Sequence, residues 1–156
     1  VKVVLNTSPI IFLSKVESLT LLTDCCAEIY VPQAVIDELH DYSLPEKIIT
    51  RSLSPEGVAY VQGALGRLHL GELEAIRLAQ ELSVDYVILD DLLARRKAQH
   101  LGIEVIGTLG ILLLLKKRGL LDVDSTWLKI IQLTSKHGLY VSTPLLQQIK
   151  GKLIGG

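Results

Sequence analysis

Methionine is absent from this 156-residue chain, and aromatic residues make up only 4% of it. Its core has to be aliphatic, and no aromatic platform for stacking single-stranded bases is evident. Cysteine is nearly absent: Cys25 and Cys26 are adjacent, which gives neither a disulfide framework nor a CxxC metal spacing. The four histidines, His40, His69, His100 and His137, are scattered and form no HExxH pair, which argues against a zinc site. No charge dominates. The net charge is -1 with a pI near 6.5, so a polyanionic partner would need a local basic patch. Long apolar runs are missing too. The most apolar run, Ile111 to Leu115, is far below the ~20 residues that span a bilayer. Lys2 precedes only a short apolar run, interrupted by Asn6 and Ser8, which is no secretory leader pattern. These absences point to a soluble protein in a reducing, cytoplasmic setting, with no membrane partner.

The chain does have 49% hydrophobic residues and enough length to bury a core as one domain, 1–156. Short apolar runs predict strands at 3–5, 28–31, 57–61, 85–89 and 103–106. Between them the pattern predicts helices at 9–22, 33–41, 72–82, 92–101 and 109–118. Residues 42–55 give mixed signals, with a short helix bracketed by Pro45 and Pro55. Two more helices flank the Lys136-His137-Gly138 break, Pro144 opening the second, and residues 151–156 read as loose. Strands alternating with helices indicate an α/β fold with a parallel sheet covered on both faces. Residues 1–118 form that core, and 119–156 a C-terminal helical extension. Its Trp127, Leu128, Ile130, Ile131 and Leu133 either cover the core or form a dimer seam.

All strand C-termini of a parallel sheet lie on one edge, where open α/β folds place their sites. Here they read Asn6-Thr7-Ser8, Asp90-Asp91 and Gly107-Thr108. Each of these oxygens could equally cap a helix start. One of Asp90 and Asp91 fits that role, which frees the other. At about 100° per residue, Glu72 falls within the arc of Ala75, Ile76, Leu78, Ala79 and Leu82, whereas Glu74 falls outside it. An inward Glu72 is either a dipole-stabilised first-turn acid or a functional carboxylate. Glu38 borders the stripe of Val35, Ile36 and Leu39 and on its own reads as solvated. Arg95-Arg96-Lys97 follows Asp91 by one helical turn and is the better candidate for phosphate contact. Lys116-Lys117-Arg118 already suits a helix C-terminus.

Taken together, VVLNTS, VIDEL, GELEAIRLA and ILDD resemble the motifs of the PIN-domain family of metal-dependent ribonucleases, which includes VapC-type toxins. The likeness is closest to a prokaryotic branch with NTSP-I, GE-x-E-A-I, LDD and IGTLG motifs. It covers Val1 to about Arg118 and extends through the tail. The resemblance implies a three-layer α/β/α sandwich whose first and fourth strands are neighbours. It implies catalytic residues Asn6, Glu38, Glu72 and Asp91, with Asp90 beside them as a further metal ligand, and Thr7, Ser8 and Thr108 as supporting groups. It further implies Mg²⁺ or Mn²⁺, one or two ions, as cofactor for RNA hydrolysis. An antitoxin and a second copy of the chain, in a homodimer, are the implied protein partners.

Two positions depart from the family pattern. Asn6 stands where the family has Asp, and Leu89 where it has a Thr-type residue. An amide oxygen still ligates a hard cation but brings no charge, so metal affinity should fall. The alternative is a degenerate PIN domain that binds RNA or a protein without cutting. A phospho-receiver or dinucleotide-binding domain shares the sheet, but Asn6-Thr7-Ser8-Pro9 supplies neither its acids nor its glycines.

Overall fold

The computed structural model of the chain describes residues 1–154. Its elements run β1 (Lys2–Leu5), α1 (Thr7–Lys15), α2 (Leu19–Cys25), β2 (Glu28–Val31), α3 (Gln33–Glu38), β3 (Ile48–Thr50) and α4 (Pro55–Ala64). They continue with α5 (Leu70–Leu82), β4 (Tyr86–Ile88), α6 (Leu92–His100), β5 (Val105–Ile106), α7 (Thr108–Lys117), α8 (Val123–Lys136) and α9 (Thr143–Ile154). The strands form one parallel sheet in the order β3-β2-β1-β4-β5. The chain winds outward from β1 to β3, then returns to lay β4 against the other side of β1. Val3, Val4 and Leu5 pair there with Tyr86, Val87 and Ile88. The switch point lies between these two central strands, both apolar enough to be buried on both faces.

Alternation along the strands divides the core. Val3, Leu5 and Ile88 face a cluster that includes Ile10 and Leu13 of α1, Leu22 of α2, and Ile111 and Leu115 of α7. Val4, Val87 and Leu89 face the other way, onto Ala75, Leu78 and Ala79 of α5 and Ala94 and Ala98 of α6. The result is the expected three-layer α/β/α sandwich. Ile130 and Leu133 of α8 and Ile149 and Leu153 of α9 are buried in the first cluster, with Trp127 packed against it. That side of the extension covers the core, while Leu128 stays exposed.

Several expected elements differ. Residues 57–61 belong to a helix: Ser54 accepts from the Gly57 N–H at 3.0 Å, and Pro55 and Glu56 suit a first turn. The third strand is Ile48–Thr50, inside the stretch between Pro45 and Pro55 that reads as a short helix. The helical run 9–22 breaks into α1 and α2 where Glu17 adopts a positive φ of 55°. Helix α3 stops at Glu38 rather than residue 41, and residues 151–154 are helical rather than loose. The remainder of that C-terminal expectation lies outside the described residues.

Candidate active site

The strand β1 delivers Asn6 to the sheet edge, its N–H donating to the Ile88 carbonyl at 3.1 Å and extending the ladder by one residue. Asn6 holds the N-cap position of α1, yet its side chain caps nothing. Its Oδ1 is buried and has no hydrogen-bond partner, the only such side-chain atom among the described residues. Leaving a buried acceptor unpaired costs about 1–3 kcal/mol, so this oxygen is one that a cation or a donor would satisfy. Asn6 lines a cleft of about 420 Å³ together with Glu38, His69, Leu70 and Glu72.

Each carboxylate of that cleft is held by one oxygen. Glu38 ends α3, exposed, and its Oε2 accepts the Thr7 hydroxyl at 2.7 Å. Gly71 lies against its other oxygen: a Cβ at Gly71 would be 2.6 Å from Glu38 Oε1. Glu72 occupies the first turn of α5, 8% exposed, with Oε1 accepting the His69 N–H at 3.0 Å. That bond caps the helix from inside. Burial pushes the Glu72 carboxyl above its ordinary pKa. The His69 N–H opposes the shift, and the charges of Asp91 and Glu38 add to it. Glu74 is not the solvent-facing acid the helical angle suggests. It is half-buried, and its Oε1 accepts the Ala34 N–H at 3.0 Å, capping α3.

The two aspartates after β4 separate in role. Asp91 is the N-cap of α6, Oδ2 accepting the Ala94 N–H at 2.9 Å. It is exposed and close enough to raise the pKa of Glu72. Asp90 gives both oxygens to Thr108, accepting its N–H at 2.8 Å and its hydroxyl at 2.7 Å. Burial raises the Asp90 pKa, against the pull of those two bonds and of nearby Arg95. Thr108, fully buried, thus supports Asp90, and Thr7 supports Glu38. Ser8 is exposed in the first turn of α1. Asp90 and Asp91 line a neighbouring cleft rather than the one holding Asn6.

Arg95, Arg96 and Lys97 point in different directions from α6, as successive helical residues must. Arg95, one turn after Asp91, is half-buried, with its guanidinium beside Gly107 near Asp90. Arg96 is exposed and Lys97 half-buried.

Sequence patterns missed two members of this edge. His69 precedes the helix that carries Glu72, and an H-x-x-E capping arrangement was the available signal. Gly71 leaves the space that Glu38 occupies, which only a structure reveals.

Beside His69, the cleft offers oxygen donors: the uncapped amide oxygen of Asn6 and the mutually repelling carboxylates of Glu38 and Glu72. These groups fit a hard divalent cation. Among the described residues, no three His, Cys, Asp or Glu side chains converge closely enough to hold a metal by themselves. Asn6 brings an amide in place of a carboxylate, Thr7 ties Glu38 to α1, and the His69 and Ala94 N–H groups hold Glu72 and Asp91 to their own helices.

No curated protein matches the chain. A family model described as PIN domain matches residues 2–154. The match runs through the switch point, the cleft and both helices of the extension, and the chain belongs to the PIN-domain family, a nuclease-type fold whose members generally use divalent metals.

Proposed function

We propose that the protein is a divalent-metal-dependent endoribonuclease. The observation that carries this reading is the buried, partnerless Oδ1 of Asn6 in a cleft with Glu38 and Glu72. Asn6, Glu38, Glu72 and Asp91 would hold Mg²⁺ or Mn²⁺. When bound, such a cation activates a water and neutralises charge on the scissile phosphate. The chain's own contribution is placement. Thr7 fixes Glu38, the His69 N–H fixes Glu72, and the Ala94 N–H fixes Asp91, each leaving the second carboxylate oxygen available. Asp90 ties the end of β4 to α7 through Thr108, which keeps the edge rigid. Arg95 and Arg96 offer positive charge to the RNA backbone one turn from Asp91. Thr108 and Asp90 thereby act in support of the ligands.

As a member of a toxin–antitoxin pair, the protein would bind an antitoxin and assemble as a homodimer. The exposed Leu92 and Leu93 on α6, 60% and 45% exposed, favour such a protein contact. A second reading, a PIN domain that binds RNA without cutting it, is favoured by the neutral side chain of Asn6 and by the lack of a convergent acidic triad among the described residues.

A labelled single-stranded RNA incubated with the protein and Mn²⁺ separates the two. Cleavage abolished by chelator, and in Glu38→Ala and Asp91→Ala, is expected. Persistent cleavage in both variants would remove the site assignment, and RNA that is bound but never cut would establish the second reading.

A further inference from the structure

The acidic edge continues past Asp91 into a second cleft, of about 330 Å³, lined by Asp90, Asp91, Leu92, Phe12, Gly138 and Tyr140. This cleft is apolar at its walls and acidic on the side of the proposed site, and its volume suits a small ring system. Tyr140 is the residue that the rest of the fold does not explain. Phe12, Tyr42, Tyr86 and Trp127 pack against one core cluster and Tyr30 lies in the other. Tyr60 lies beneath the Arg77 guanidinium, 5.1 Å from ring centroid to Cζ. Tyr140 alone is 87% exposed.

The exposure is not that of a trailing loop. Gly138 turns the chain with a φ of +77°, the Leu139 N–H donates to the Leu133 carbonyl at 3.0 Å, and the Leu139 side chain packs on the core. The linker between α8 and α9 is therefore anchored immediately before Tyr140, and it presents the ring at the rim of the cleft that Asp91 shares. An apolar ring held in water beside a phosphodiester site has a natural occupant, because every nucleobase has a face that stacks on an aromatic ring.

We propose that Tyr140 is the stacking platform for a nucleobase of single-stranded RNA whose backbone crosses the edge at Asp91. This rests on reading that edge as a ribonuclease site. It supplies the aromatic partner that composition alone leaves out, and it gives the C-terminal extension a part in substrate binding. Stacking tolerates any base, so the platform grips unpaired RNA without reading its sequence. A duplex, whose bases are already stacked, gains nothing from it.

The test is fluorescence anisotropy of a labelled single-stranded RNA with Ca²⁺ as the only divalent ion, for wild type, Tyr140→Ala and Tyr140→Trp. Circular dichroism checks that all three are folded. Affinity is expected to fall about tenfold in Tyr140→Ala and to be kept in Tyr140→Trp. A strand carrying abasic sites is expected to bind wild type and Tyr140→Ala alike. Equal binding of the intact RNA by wild type and Tyr140→Ala overturns the proposal. So does a change in oligomeric mass on Tyr140→Ala with RNA affinity untouched, which would make the ring a protein contact. Cleavage in Mn²⁺ is read separately. If wild type binds through Tyr140 but cuts nothing, the platform stands and the nuclease reading falls. If Tyr140→Ala binds and cuts as wild type does, only the platform falls.

Discussion

Gly71 and Glu38 share one space: a Cβ on Gly71 would lie 2.6 Å from Oε1 of Glu38 and 3.3 Å from its Cδ. The first turn of α5 and the last turn of α3 therefore approach as closely as they do because position 71 has no side chain. Glu38 is exposed and can swing aside, so Gly71→Ala should not unfold the protein. Alanine is the better helix former by ~1 kcal/mol, so thermal stability should hold or rise slightly. Mn²⁺ affinity, measured by calorimetric titration, should fall about tenfold as Glu38 leaves the cleft. Unchanged affinity would show that Glu38 has no part in the site.

Asp90 makes a contrasting prediction. Removing its carboxylate leaves the buried N–H of Thr108 without an acceptor at the start of α7, a loss of about 1–3 kcal/mol. Urea denaturation of Asp90→Ala should show that loss, and Asp90→Asn, which keeps one acceptor oxygen, should recover most of it. Mn²⁺ affinity of Asp90→Asn should stay close to that of wild type, because Asp90 bonds to Thr108 through both oxygens and does not line the cleft of Asn6, Glu38 and Glu72. A strong drop would make Asp90 a ligand after all.

Much of this edge was legible in the sequence, for identifiable reasons. Val3–Leu5 and the run around Val87 are apolar throughout, as strands buried on both faces must be. Asn6 and Asp90-Asp91 follow them directly, so the sheet edge came with them. Glu72 could be placed inward by angle because α5 is long and regular. The same angle left Leu73 outside the apolar arc, yet it is 3% exposed, since α5 packs against α3 and α4 as well as the sheet. The third strand was hidden by its length of three residues at the sheet's edge, where Ile49 is half exposed. The division of labour between Asp90 and Asp91 was not readable, because capping depends on backbone angles rather than residue type. Tyr140 lay at a cleft formed by residues more than a hundred positions apart in the chain, which no local pattern encodes.

Glu72 carries the pH dependence of the site. Its folded pKa is raised by burial and by Asp91 and Glu38, so its contribution to stability is present below the unfolded pKa and lost as pH rises through the folded value. In chelator, Glu72→Gln should melt higher than wild type at pH 7, since glutamine keeps an oxygen for the His69 N–H and carries no charge. The difference should shrink on acidification, as wild-type Glu72 becomes protonated. Thermal melts across pH 4–7 check this. A difference that grows toward acid would mean that Glu72 is stabilised as an anion. With Mn²⁺ added, wild type should gain stability and Glu72→Gln should gain far less.

The proposed metal centre turns on Asn6, whose Oδ1 is buried in a cleft shared with Glu38 and Glu72 and has no hydrogen-bond donor. The most direct measurement is Mn²⁺ titration of the chelator-stripped protein as wild type, Asn6→Ala and Asn6→Asp. Removing the oxygen should weaken binding about tenfold, and adding its charge should tighten binding by a similar factor. The expected order is Asn6→Asp above wild type above Asn6→Ala. Equal affinity in all three, or none in any, would contradict a cation held at this edge.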